Sequence, residues 1–122
     1  MAAHLTANGG PVYVRVLAGF MNQIGYDLYL RDKGTGASTI IVQRHTENPG
    51  TYLAATQGAG LANHSLLYGV DVRSPSNDPN QMYSVSISVM QGGRIVPGGQ
   101  EDEQDKFDGA TVVTGVIDLV LA

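Results

Sequence analysis

The sequence predicts an all-β protein, an antiparallel β-sandwich of about seven strands that forms a single domain over residues 1–122. Three observations predict this fold. Apolar and polar residues alternate along most of the chain, turn residues separate the alternating segments, and no segment has the period of an amphipathic helix. The pattern leaves open an immunoglobulin-like, a C2-like or a jelly-roll strand order.

The alternation places apolar side chains on one face of each predicted strand. In chain order, the apolar rows are Val12 to Phe20, Tyr26 to Leu30, Ile40 with Val42, Leu66 to Val72, Tyr83 to Val89, and Val112 to Leu121. The segment from Met82 to Met90 is the clearest, because serines occupy its second face. Residues 51–69 are compatible with either a strand or a short helical turn.

Turn chemistry separates these rows. Lys33–Gly36 and Gln91–Arg94 contain the glycines that tight hairpins need, and Asn48–Gly50 is a Pro-Gly turn. Residues 74–80 form a polar loop in this interpretation, and Pro97–Gly99 breaks the chain before an acidic stretch.

The last predicted strand is apolar on both faces. One face carries Val113, Ile117, Leu119 and Leu121; the other carries Val112, Val116 and Val120. Either both faces of such a strand are buried within the monomer, or one of them is buried by another chain. The second alternative makes Val112, Val116 and Val120 an oligomer interface.

Composition excludes several classes of protein. With 43% hydrophobic and 15% charged residues the chain folds, and without cysteine it forms neither disulfides nor thiolate metal sites. No apolar run is long enough for a membrane span. No classical signal peptide is present, so we expect a cytoplasmic protein or release by a non-classical route.

The charge is concentrated in one place. The net charge of -4 lies entirely between Glu101 and Asp108, because the remaining acids and bases cancel. Without a basic stripe, nucleic acid is not an expected partner.

The sequence offers little chemistry for catalysis. There is no cysteine nucleophile, no serine lies in a Gly-x-Ser-x-Gly elbow, and His4, His45 and His64 are scattered. Gly58–Asn63 begins like a dinucleotide-binding turn, but Asn63 stands at its sixth position and no amphipathic helix follows. We therefore expect a protein that is not an enzyme, with a small metal-dependent enzyme as the last alternative.

One cluster has the composition of a metal site. Carboxylates recur at short spacing, as calcium requires, in an acidic loop that carries Glu101, Asp102, Glu103, Asp105 and Asp108. Asn77, Asp78 and Asn80 would add oxygen ligands if their loop lay at the same end of the sandwich. A solvated acidic loop is the alternative interpretation.

The acidic stretch followed by Ala110-Thr111-Val112-Val113 resembles the C-terminal end of bacterial calcium-dependent fucose- and mannose-binding lectins. The resemblance covers about 13 residues and implies a calcium ion that bridges the protein to sugar hydroxyls. This chain has Asp105-Lys106-Phe107-Asp108 where that family has a denser Asp-x-Asp run, and it ends in Ala122 rather than glycine.

Two functions follow as hypotheses. The first is a non-catalytic binding module that presents loops from a rigid sandwich to a protein or carbohydrate ligand, in one version with calcium as cofactor. The second is a structural protein that assembles into a homo-oligomer through its apolar C-terminal strand.

Overall fold

The structure, a computed structural model, describes residues 2–20, 22–73, 80–106 and 110–121. Within these ranges two β-sheets pack face to face, which confirms the predicted all-β sandwich. The strands are β1 (Ala2–Leu5), β2 (Val12–Ala18), β3 (Gln23–Asp32), β4 (Ser38–His45), β5 (Gly50–Ala55), β6 (His64–Arg73), β7 (Met82–Gln91), β8 (Arg94–Lys106) and β9 (Ala110–Leu121). The described residues include no helix that could span a membrane.

The five-stranded sheet has the order β1-β9-β6-β3-β4 and the four-stranded sheet the order β5-β2-β7-β8. Neighbouring strands run antiparallel except β1 and β9, which run parallel. The described residues form nine strands, against about seven predicted. The additions are β1, which was not predicted, and β5, which lies in the segment left open as a strand or a helical turn. The ambiguous segment after Gly50 contains both predicted alternatives, because β5 is followed by a single 3-10 turn at Gly58–Leu61.

The core lies between the two sheets and follows the predicted rows. Alternate residues of each strand are buried, including Val12, Val14, Val16, Tyr26, Leu28, Leu66, Val70, Val85, Ile87, Val113, Ile117 and Leu119. Burying such side chains contributes about 1.5–3 kcal/mol each, which makes this core the main source of stability.

Two predicted row members face outwards. Phe20 follows the end of β2, has φ = 58° and is 46% exposed. Ile40 and Val42 lie on opposite faces, because a bulge between them pairs Ile40 with Tyr29 and Val42 with Leu28. An extra residue in one strand reverses the facing of the residues beyond it.

The predicted acidic loop is wrong for residues 101–106, which belong to the 13-residue strand β8. Pro97–Gly99 does not end this strand; the register shift between Ser88 and Met90 of β7 marks a bulge there instead. The strand tolerates proline and charge because it lies at the sheet edge and pairs with β7 alone.

The predicted hairpins are confirmed. Gly92 and Gly93 join β7 to β8 with φ values of 65° and 77°, the left-handed conformation that glycine adopts without strain. Asp32 accepts hydrogen bonds from the backbone of Gly34 and Thr35 in the β3–β4 hairpin. Of the predicted polar loop, residues 74–79 lie outside the described residues.

Candidate functional site

The acidic residues of β8 alternate between the two faces of the four-stranded sheet. Glu101 and Glu103 lie on the inner face, where Glu101 accepts a hydrogen bond from the Tyr68 hydroxyl at 2.8 Å and Glu103 one from Tyr83 at 3.4 Å. Burial and the bond to Glu101 raise the pKa of the Tyr68 hydroxyl, so it remains a donor. These carboxylates close the side of the sandwich between β8 and β9.

Asp102 lies on the outer face of the same strand. Its carboxylate accepts from the hydroxyl of Ser86 and, at 3.0 Å, from the side-chain amide of Gln100. Asp105 accepts from the backbone N–H of Lys106 at 2.8 Å. Asp108, like Asn77 and Asp78, lies outside the described residues.

Strand geometry therefore separates the predicted calcium ligands. Successive side chains of a strand point to opposite faces, so Asp102 cannot join Glu101 and Glu103 around one ion. Within the described ranges, the structure brings together no group of three acidic, histidine or cysteine side chains that could hold a metal ion. The calcium site stays a prediction from the sequence.

The predicted interface residues lie on the outer face of the five-stranded sheet. Val112 is 65%, Val116 49% and Val120 37% exposed, whereas Val113 and Ile117 on the inner face are buried. Burial of both faces within the monomer is thus wrong, because β9 is covered by the four-stranded sheet on one side only.

A cavity of about 470 Å³ lies at the end of the sandwich where the connection between β4 and β5 crosses from one sheet to the other. It is lined by Asn22, Gln23, Ile24, Gly25, Thr46, Asn48, Asp71 and Arg73. Its volume is in the range of small-molecule sites, about 300–1,000 Å³. We take this end cavity as the candidate functional site.

Asn22 is the buried polar group of the end cavity. Its side-chain amide donates to the carbonyl oxygens of Gly19 and Met82 at 3.1 and 3.2 Å, which fixes the orientation of the amide. The Oδ1 atom is buried and accepts no hydrogen bond from the described residues. An unsatisfied buried acceptor costs about 1–3 kcal/mol, so a donor that reached this atom would recover part of that cost.

The segment that carries Asn22 is held firmly by β7. The Gly19 N–H donates to both the carbonyl and the hydroxyl oxygen of Ser84, each at 3.1 Å. The adjacent Phe20 combines an exposed ring with a left-handed backbone, which is rare for an aromatic residue and is often associated with function.

The β4–β5 connection is fixed from two sides. Asn48 accepts from the N–H and donates to the carbonyl oxygen of Ala18, at 2.9 and 3.0 Å. The Tyr26 hydroxyl donates to the carbonyl oxygen of Glu47 at 2.6 Å and contacts the hydroxyl of Tyr52. Thr46 and Asn48 therefore line the end cavity from a rigid loop.

The remaining lining residues lie at the ends of β3 and β6. Asp71 and Arg73 are exposed, and neither forms an ion pair with the residues that the structure describes. The last pair between β3 and β4 is Tyr26 with His45, so the edge of β3 from Gln23 to Gly25 is open. Along an open strand edge, alternate residues direct their backbone N–H and C=O groups away from the sheet, and here β4 does not pair with them.

Sequence reasoning did not find the end cavity, because its residues come from segments about 25 residues apart along the chain. The signal that could have indicated it is the recurrence of asparagine next to strand ends, at Asn22 and Asn48. Asparagine in such positions bonds to backbone groups and fixes loops.

The three histidines do not form a site within the described residues. His45 packs against Tyr26 and Tyr52, with its ring 5.4 Å from that of Tyr52, and the His64 Nδ1 atom contacts the carbonyl oxygen of Ala62 at 2.8 Å.

Comparisons with protein-family models, with curated proteins and with solved structures found no match.

Proposed function

We propose that this protein is a non-catalytic binding module whose end cavity binds a neutral, hydroxyl-rich ligand, a carbohydrate. The buried Oδ1 atom of Asn22, which accepts no hydrogen bond from the part of the chain that the structure describes, carries the proposal. A buried acceptor favours a ligand that donates hydrogen bonds, and sugar hydroxyls both donate and accept.

The other lining groups support the same class of ligand. Asp71 supplies acceptors, Arg73 supplies donors, and Gln23 supplies both, with one negative and one positive charge among them. An anionic ligand would meet the Asp71 carboxylate and a cationic one the Arg73 guanidinium. Ile24 and Gly25 add apolar surface for the C–H faces of a sugar ring.

The non-catalytic part of the proposal is supported by the sequence alone, which has no cysteine and no Gly-x-Ser-x-Gly elbow. The amides, hydroxyl, carboxylate and guanidinium of the lining are groups that orient a ligand through hydrogen bonds.

A glycan array followed by calorimetric titration of the best glycan tests this function. We expect Gly25→Val to abolish binding, because an added Cβ meets only the His45 carbonyl oxygen at 4.0 Å and the side chain would extend into open space. Gly69→Val on β6 is the matched control, since it adds the same side chain elsewhere on the same face.

Asp71→Asn and Arg73→Gln are expected to weaken binding at least tenfold, with unfolding midpoints within a few degrees of the parent protein, because both residues are exposed. Binding that all three cavity variants retain would place the ligand elsewhere, and no binding to any glycan would contradict the proposal.

The calcium-dependent version is a separate proposal, supported only by the acidic sequence. It predicts that excess calcium raises the free energy of unfolding by about 2.7 kcal/mol at one hundred times the dissociation constant. Thermal melts with calcium and with a chelator measure this. Identical melts would contradict a calcium site and leave the end cavity unaffected.

A further inference from the structure

We infer that the outer face of the five-stranded sheet is a self-complementary interface, on which a second copy of this chain docks in reversed orientation. This inference does not depend on the proposed carbohydrate ligand. The interface adjoins the end cavity, because Val112 of β9 pairs with Asp71 of the cavity lining.

An apolar row crosses this face from strand to strand. The pairing register places Val116 of β9 beside Leu67 of β6, Leu67 beside Tyr29 of β3, and Tyr29 beside Ile40 of β4. Val116 is 49% and Ile40 54% exposed. We call these four residues the apolar row.

The groups on the two sides of the apolar row are complementary. On β3, Asp27 lies two residues before Tyr29 and Arg31 two residues after it, and all three side chains share the outer face. On β3 the face therefore carries a negative group on one side of the row and a positive group on the other. On β9, Asp118 lies on the side of Arg31 and forms an ion pair with Lys33.

On strand β9, apolar groups lie at equal distances on the two sides of the apolar row. Val112 and Val120 lie four residues before and after Val116, and both are exposed on the outer face. The outer face thus has matching groups at equal distances from the apolar row, on two of its strands.

A two-fold axis along the apolar row uses this symmetry. The rotation turns one copy over onto the other, so that the row meets itself and each strand faces its own copy in the opposite direction. Arg31 then faces the partner copy's Asp27, and Val112 faces the partner copy's Val120. Each contact occurs twice, and none places like charges opposite each other on β3.

The area is sufficient for a weak dimer. Four strands about 4.8 Å apart and a length of eight residues at about 3.4 Å each give a patch on the order of 500 Å² per copy. About 1,000 Å² for the pair lies at the lower limit of specific interfaces, so we expect a dimer that dissociates at low concentration.

Sedimentation equilibrium of the full chain between about 1 and 500 μM tests the inference. We expect a monomer–dimer equilibrium that Val116→Lys weakens at least tenfold, because the two copies of residue 116 meet near the axis. Leu53→Lys is the matched control, since Leu53 is 50% exposed on the outer face of the other sheet.

Charge reversal tests the orientation of the dimer. Arg31→Glu and Asp27→Lys should each weaken the dimer at least threefold, and the double variant should restore it, because opposite charges face each other again. Circular dichroism melts confirm that each variant folds.

A monomer at every concentration would overturn the inference. A dimer that survives Val116→Lys would do the same, and a dimer weakened by Leu53→Lys alone would transfer the interface to the four-stranded sheet. None of these outcomes bears on the end cavity, which is tested by glycan binding.

Discussion

At the scale of single residues, polar side chains replace backbone groups where the strands end. The amide of Asn48 pairs with both backbone groups of Ala18, as a neighbouring strand would. The amide of Gln91 accepts from the N–H of Thr6 and donates to the carbonyl oxygens of Thr6 and Gly10. These residues matter for the fold although they carry no hydrophobic pattern, which is why periodicity in the sequence does not indicate them.

Gly50 is restricted by its surroundings. A Cβ atom at this position would overlap the hydroxyl groups of Tyr26 and Tyr52. We expect Gly50→Ala to lower the free energy of unfolding by about 1–3 kcal/mol, the usual cost of overpacking. Urea denaturation measures this, and Gly60→Ala, where the nearest atom lies at 3.7 Å, is the control. Equal stability of the two variants would show that the tyrosines move aside.

Asp118 contributes to stability in a pH-dependent way. The Ser65 hydroxyl donates to its Oδ1 atom at 2.8 Å and Lys33 lies at 3.5 Å, and together they lower the pKa of the carboxyl. Because the pKa of Asp118 is lower in the folded state, its carboxylate stabilises the fold at pH values above the unfolded-state pKa, about 3.9. This stabilisation is lost as the pH falls through the folded-state pKa.

We therefore expect Ser65→Ala to raise the pKa of Asp118 and to reduce the loss of stability as the pH falls below the unfolded value. The pKa follows from the NMR titration of the Asp118 carboxyl, and acid titrations of urea stability provide the second readout. The effect on stability will be small, because the Asp118 side chain is 48% exposed. An unchanged pKa would contradict the assigned role of Ser65.

At the scale of elements, predictability from the sequence depends on how each strand is covered. The strand β7 lies between β2 and β8, and its alternation predicted Met82–Met90 where the structure has Met82–Gln91. Both faces of β9 were also assigned to the correct residues. The edge strands were less predictable, because an edge strand needs neither strict alternation nor a neutral sequence. β1 was not predicted, β5 was left open as a strand or a helical turn, and β8 was ended too early, at Pro97–Gly99.

The candidate site was less predictable than the fold. The acidic cluster was selected by composition, but strand geometry divides it between two faces. The end cavity depends on how β4 leaves β3 and on the bonds of Asn22 and Asn48, both of which follow from tertiary pairing. Pairing between segments that are distant along the chain cannot be predicted from the pattern of neighbouring residues.

The element β1 depends on Gln91. This side chain is 7% exposed and fixes the segment that joins β1 to β2. We expect Gln91→Ala to lower the free energy of unfolding by about 2–4 kcal/mol through the loss of several buried hydrogen bonds. Hydrogen exchange should then show the amides of Ala2–Leu5 opening before those of β9.

Gln100→Ala is the matched control for this experiment, because Gln100 is exposed and its side chain bonds, among the described residues, to Asp102 on the same strand. Protection of β1 that persists in Gln91→Ala would mean that its pairing with β9 suffices to hold it.

At the scale of the whole molecule, the two proposals concern two places on the sandwich. Ligand binding is assigned to the end cavity, and dimer formation to the outer face of the five-stranded sheet. The end cavity is built from loops and strand ends that are fixed by polar bonds, which suits a small ligand. The outer face of the five-stranded sheet carries the apolar row with charged groups on both sides, which suits a second copy. A dimer formed through that face would present two end cavities, and two linked sites bind a multivalent ligand more tightly than one.

The acidic edge of β8 has a consequence for solubility. An edge strand offers unpaired backbone groups on which other chains can grow, and the open stretch of β8 carries Glu101, Asp102, Glu103 and Asp105. Two such edges repel each other through their carboxylates. Salt screens that repulsion, so the stretch that keeps molecules apart at low ionic strength becomes, at high salt, a place where sheets can join edge to edge.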